Sequence, residues 1–274
     1  DRLARHMDVD LLTFTGSSAT GKALMKTAGE SNMKRLILEC GGKSPFIVFD
    51  DSEEYLDLVA AVAVDKAFPN QGALCVTGSR LLIQDSIREK LMPKILEQAK
   101  AITPKDPLEA DCAFGSIMNE AHMNKVLGYI ETGKAEGAKL ILGGNQVLKE
   151  SGGFYIEPTI FDEVDPNSTI AQEEIFGPVL SIIGFKDEEE ALEIANNSTF
   201  GLSAYAATQN VGRVQRLGEE LSAGSIIMIG SPSPSWGSNV SFSVEGHKQS
   251  GMGFEIGLAG LAEYTVATTV MCFT

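Results

Sequence analysis

Short apolar runs, bounded by glycine and separated by stretches of helical periodicity, constrain this chain more than any other feature. LLTFT (11–15) passes through a glycine turn into SATGKALMKTAG (18–29). RLILE (35–39) and FIVF (46–49) flank Gly41 and Gly42. SRLLIQ (79–84), KLIL (139–142), VLSIIGF (179–185), LSAYAAT (202–208) and SIIMI (225–229) are rich in β-branched residues and read as strands. Apolar residues fall at helical spacing in 53–68, 86–102 and 120–137. DEEEALEIANN (187–197) reads as a short helix with acids at its N-terminus. Strands alternating with helices imply an α/β fold with a largely parallel sheet. The last stretch, YTVATTVMCFT (264–274), alternates apolar with small residues and reads as a strand that needs a partner edge.

With 274 residues, 43% of them hydrophobic, the chain can bury a core of domain size. A formal charge of −15 argues against nucleic acid as a partner. The cysteines, Cys40, Cys75, Cys112 and Cys272, form no C-x-x-C pair and cluster with none of His6, His122 and His247. That argues against a zinc site. Free thiols and no signal peptide point to the cytoplasm. No run approaches the roughly 20 apolar residues of a membrane span. The opening, DRLARHMDVDLLTFTG, reads as the middle of a protein, with no initiator methionine.

Two stretches carry candidate chemistry. GSSATGKA (16–23) follows a strand and opens a helix, one residue short of the phosphate-loop pattern G-x-x-x-x-G-K-[ST]. With FIVFDD downstream, a nucleotide triphosphatase is one reading. Ala23 stands where that chemistry needs a hydroxyl for Mg²⁺. The weaker reading keeps the N–H groups of Gly16 and Ser17, at a helix N-terminus, for a pyrophosphate. A glycine turn capped by Ser17 or Ser18 would serve the helix equally. In FPNQGALCVTGSR (68–80), Cys75 lies among small residues that leave room for approach. A lone cysteine is more often a buried hydrophobe than a nucleophile. A cysteine hydrolase with His122 or His247 as base is a further alternative.

Four stretches taken together, FTGSSATG (14–21), LECGGKSP (38–45), NQGALC (70–75) and EEIFGPV (173–179), resemble the aldehyde dehydrogenase superfamily. The stretches 125–144, 154–161 and 248–253 also resemble family segments, so the likeness covers essentially the whole chain. The resemblance implies oxidation of a small-molecule aldehyde with NAD or NADP through a thiohemiacetal and a thioester. It assigns Cys75 as nucleophile and Glu39 as general base. Gly16 and Ser17 match the pyrophosphate turn, Glu174 the carboxylate that holds the nicotinamide ribose, and Phe176 the ring beside it. Lys125 and His122 fall where the family places further ribose contacts, the latter usually a glutamine. No metal is implied.

The resemblance also implies three regions. Residues 1–40 match the end of a dinucleotide-binding domain, 41–252 the catalytic domain, and 253–274 a segment ending in an oligomerisation strand. A homodimer or homotetramer is expected. A longer N-terminal portion, with the rest of the cofactor domain, would precede residue 1 in the family, so the chain alone is expected to be inactive. GESNMKR (29–35) resembles the subgroup that oxidises aminobutyraldehydes, γ-glutamylated ones included. Departures from the family pattern are Ala73, usually glutamine, Cys40, usually leucine, the stretch 243–251, and a missing asparagine near Ile229.

Overall fold

A computed structural model describes residues 2–230 and 242–273. The first strands and helix are β1 (Leu11–Thr15), α1 (Ser18–Gly29) and β2 (Arg35–Glu39). Next come β3 (Pro45–Val48), α2 (Leu56–Ala67), β4 (Arg80–Gln84), α3 (Arg88–Lys100) and α4 (Glu120–Ala135). The chain continues through β5 (Lys139–Leu142), β6 (Thr159–Asp162), β7 (Val179–Phe185) and α5 (Glu188–Asn196). Then follow β8 (Ser203–Ala207), α6 (Val211–Glu220), β9 (Ser225–Ile229), the two-residue β10 (Gly251–Met252) and α7 (Gly257–Ala262). The described residues of Asp1–Gly41 and Ser235–Thr274 form one compact unit, those of Gly42–Pro234 another.

The larger unit is built on a seven-stranded sheet in the order β9-β8-β3-β4-β7-β6-β5. Every pairing is parallel except β5 with β6 at one edge. Side chains alternate faces along a strand, and here both faces are dry. Phe46, Val48, Leu81, Ile83, Leu180 and Ile182 join one core, with Val59, Ala63 of α2 and Leu91, Ile95 of α3. Ile47, Leu82, Val179 and Ile183 point to the other core, with Val126, Ile130 of α4, Ala191, Ile194 of α5 and Leu217 of α6. A sheet covered on both sides explains why its strands read as continuous apolar runs.

A guanidinium also enters this interior. Arg80 opens β4 and is almost fully buried. Its Nε donates to the Lys43 carbonyl at 2.9 Å, and its two terminal nitrogens donate to Ile194 and Ala195 carbonyls at 2.9 and 2.8 Å. Those last two acceptors lie in the final turn of α5, whose carbonyls have no partner within the helix. At the other end, Asp187 caps α5 by accepting from the Glu190 N–H, and Glu188, Glu189 and Glu190 fill the first turn. The helix thus carries acids at its positive end and a guanidinium at its negative end.

In the smaller unit β2 lies between β1, parallel to it, and β10, antiparallel. The expected strand at Tyr264–Thr274 is corrected for the single chain. Residues 265–273 carry no regular structure, and Val266, Val270, Met271 and Phe273 are exposed. A strand exists only through ladder bonds to a neighbour, and no described strand pairs with this segment.

Replacing Arg80 with leucine leaves three carbonyls without their donor. Unpaired buried acceptors cost about 1–3 kcal/mol each, offset in part by removing a desolvated charge. The expected net loss is about 3 kcal/mol, read as a lower urea midpoint, with Arg80→Lys in between.

Candidate active site

The loop around Cys75 is held by its backbone. Asn70, Gln71 and Gly72 lie successively in the left-handed region, with φ of 49°, 58° and 70°. For asparagine and glutamine this costs of order 1–3 kcal/mol each unless the surroundings enforce it. The surroundings do so. Asn70 Nδ2 donates to the Ala73 carbonyl, and Thr77 Oγ1 donates to the Leu74 carbonyl at 2.7 Å. The Gly78 N–H donates to the Lys66 carbonyl and the Tyr205 hydroxyl to the Val76 carbonyl, both at 2.9 Å. A Cβ at Gly72 would lie 2.3 Å from the Gly177 carbonyl oxygen, so the turn admits only glycine there. Cys75 emerges half-buried between the exposed Leu74 and Val76. Burial pushes the Tyr205 hydroxyl up to about 12, with the charges of Cys75 and Asp65 adding to it.

Gly42 joins this loop to the segment that carries Glu174. A Cβ on Gly42 would stand 2.1 Å from the Cys75 carbonyl oxygen, which no side chain could relieve. Its N–H donates to Glu174 Oε1 at 2.9 Å. Phe176 follows with φ of 60° and 37% of its surface exposed. Its carbonyl accepts from His122 Nε2 at 2.7 Å, which fixes the ring proton on that nitrogen. The two rings stack at 5.9 Å. Lys125 Nζ donates to the Glu174 carbonyl at 3.3 Å. Four of the expected residues, Glu174, Phe176, Lys125 and His122, therefore share one cluster with the Cys75 loop. Burial raises the Glu174 carboxyl above its ordinary range, opposed by the Gly42 N–H, Lys125 and Lys43.

The other three expected residues meet in the smaller unit. The Gly16 N–H donates to the Glu39 carbonyl at 2.9 Å. Ser17 is the N-cap of α1, accepting from the Thr20 N–H. No acid lies in the first turn of that helix, so its free N–H groups suit an anion such as a pyrophosphate. Ala23 lies within α1 and offers no hydroxyl. Glu39 ends β2, paired across to Thr15 and Gly251. It is 8% exposed, and its Oε1 has no hydrogen-bond partner. Burial, then the nearby Glu255 charge, pushes its carboxyl up to about 7. The divergent stretch 243–251 has a local task. The Cys40 N–H donates to the Ser250 carbonyl, Ser250 Oγ to the Gly41 carbonyl, and Ser18 Oγ to the Gln249 carbonyl. Cys40 fits where it does because its sulfur lies over Gly21.

Sequence reasoning left Lys43, Arg80 and Tyr205 without a role. Lys43 stands inside the quoted LECGGKSP, but nothing in its spacing says that its amine is 2% exposed with no hydrogen-bond partner. Among the described residues no three His, Cys, Asp or Glu side chains are grouped as metal ligands, and no helix is long and apolar enough to cross a membrane.

The sequence profile of the aldehyde dehydrogenase family matches residues 1–270. Solved structures agree. The aldehyde dehydrogenase KauB from Pseudomonas aeruginosa is 46% identical, with a TM-score of 0.91 over 96% of this chain and 52% of its own. An indole-3-acetaldehyde dehydrogenase from P. syringae, solved with NAD+ and IAA, is 44% identical, with the same TM-score and coverage. The γ-glutamyl-γ-aminobutyraldehyde dehydrogenase from Burkholderia cenocepacia J2315 is 42% identical, again with a TM-score of 0.91 over 96% of this chain and 52% of its own. The chain spans about half the length of these relatives. It belongs to the aldehyde dehydrogenase family.

Proposed function

We propose that this chain carries the reacting residues for oxidation of a small aldehyde to a carboxylic acid with NAD or NADP. The observation that carries the reading is Glu39. A nearly buried carboxyl with an unpaired oxygen, held near neutrality, is a proton acceptor waiting for a partner. In this reading Glu39 takes the proton of Cys75. The Cys75 thiolate adds to the carbonyl carbon, forming the C–S bond and an oxyanion that the Cys75 N–H receives. A bound nicotinamide supplies the hydride acceptor. Loss of hydride from the tetrahedral carbon leaves a thioester on Cys75. Glu39 gives up that first proton to solvent, then takes one from a water, whose oxygen attacks the thioester carbon and expels the Cys75 thiolate, leaving the carboxylic acid product.

Gly16 and Ser17 hold the pyrophosphate in this reading, Glu174 accepts from the nicotinamide ribose, and Phe176 flanks the ring. Lys125 and His122 back that segment. Several relatives bind NAD, which supports the same cofactor here. For the substrate we favour an aminobutyraldehyde, γ-glutamylated or free, supported by 29–35 and by the B. cenocepacia relative. The exposed apolar side chains of 265–273 support pairing with a second copy in a homodimer or homotetramer.

The test is NADH formation with a panel of aldehydes that includes aminobutyraldehydes and indole-3-acetaldehyde. Because the chain alone is expected to be inactive, the assay is run with the N-terminal portion that the family carries also present, and no turnover with any aldehyde there would overturn the reading. Cys75→Ala is expected to abolish turnover together with active-site labelling by iodoacetamide. Glu39→Gln is expected to lower turnover by about 10²–10⁴-fold. The accepting form of Glu39 is the carboxylate, populated above about pH 7. Wild-type turnover should therefore fall as pH drops through that value, and the limb should vanish in Glu39→Gln. Gly42→Ala forces the Cys75 carbonyl away by more than an ångström to restore ordinary contact. It should remove turnover and lower the melting temperature, whereas Gly29→Ala, with open space at the added carbon, should not change turnover.

A further inference from the structure

A lysine that the mechanism does not use lies one residue beyond Gly42. Lys43 is 2% exposed, and its Nζ has no hydrogen-bond partner. Its backbone carbonyl is occupied by Arg80 Nε. A buried ammonium without a partner is costly, so its charge must be balanced by something near. The charged groups that face it are Arg80 of β4, Lys125 of α4, and Glu173 and Glu174 before Phe176. The first two are cations and oppose its charge. The last two are carboxylates and favour it. Glu174 is also the group that the preceding residue holds, through the Gly42 N–H.

Two lysines act on Glu174, and they differ in kind. Lys125 is exposed, and its described bond goes to the Glu174 backbone carbonyl. Its field on the carboxylate is screened by water. Lys43 is dry, and its field acts through a low dielectric. We propose that Lys43 is a positioning residue for Glu174: its buried charge keeps the carboxylate ionised, and so seated on the Gly42 N–H, in mildly acidic solution. This rests on the reading of Glu174 as the ribose carboxylate. Burial, followed by Arg80, brings the Lys43 amine down to about 7, so it is charged in mildly acidic solution. Above that pH Lys43 is neutral and no longer acts on Glu174.

The sign of the effect follows. Without Lys43, Glu174 protonates at a higher pH, by about one unit or more for a near opposite charge. Cofactor affinity should then be lost earlier on acidification, and the difference should close at alkaline pH. The experiment has two arms. In the first, on the purified chain, the Glu174 carboxyl is followed by ¹³C NMR against pH, assigned by its absence in Glu174→Gln. Lys43→Met is expected to raise the Glu174 midpoint by about one unit, and Lys43→Arg, with a permanent charge, to keep it low. An unchanged midpoint in Lys43→Met would overturn the inference without any cofactor present. In the second arm, NAD affinity is measured by calorimetry across pH. Lys43→Met should weaken binding about tenfold on the acid side only, and Glu174→Gln should flatten the profile. This arm is run with the N-terminal portion of the cofactor domain present, and if Glu174→Gln then binds NAD like wild type at every pH, the reading of Glu174 fails. If Glu174→Gln flattens the profile and Lys43→Met leaves it in place, the role of Lys43 fails alone.

Discussion

The arrangement of the larger unit depends on one bare α-carbon. Gly42 places its Cα against the Cys75 carbonyl and its N–H on Glu174 Oε1. A side chain of any size would part the thiol loop from the lead-in to β3, and with it the loop from the Glu174 carboxylate. The same strand, β3, pairs on one side with β4 and on the other with β8. The contact is therefore anchored in the middle of a sheet that is buried on both faces, where packing leaves little room to drift.

Arg80 extends this logic to a helix. A guanidinium is the most weakly hydrated of the cationic side chains, and its fixed fork meets several acceptors at once. Here all its described bonds go to backbone carbonyls, two in the last turn of α5 and one from Lys43. The end of α5 and the segment carrying Gly42 and Lys43 are thus held by one side chain. Lys43 is the second cation in this interior, and burial, then the Arg80 charge, disfavours its charged form. The Glu173 and Glu174 carboxylates are what favour the charged form of Lys43 against them.

Most of the fold could be read from the sequence because it is written in periodicity. VLSIIGF, KLIL and SIIMI coincide with β7, β5 and β9, and SATGKALMKTAG with α1. The helix α6 was not read because Gly212 and Gly218 interrupt its pattern and it buries little besides Leu217. Its start depends on Asn210 accepting from the Arg213 N–H, a local bond that composition does not announce. The C-terminal stretch is a different case. Alternation states a readiness to pair, and pairing needs an edge that lies outside this polypeptide's own described strands. The motifs around Cys75, Glu39 and Glu174 stood out because they follow one another in the order of the family pattern. Lys43 and Arg80 did not, since burial of a charged side chain is a property of the packed interior.

The turn of three successive left-handed residues has a consequence for how this surface can vary. Its shape is set by carbonyl and amide contacts and by the missing side chain at Gly72, so the path to Cys75 is specified by main chain. An exposed side chain such as Leu74 sits on a frame held by bonds to main chain. A mutational map of this loop should thus be sharply two-toned. Positions that need a left-handed backbone or a bare α-carbon, 70–72, are closed to change, while exposed side chains such as Leu74 are open to it. Ala73, the departure from the family pattern, is tied to Asn70 through both its N–H and its carbonyl.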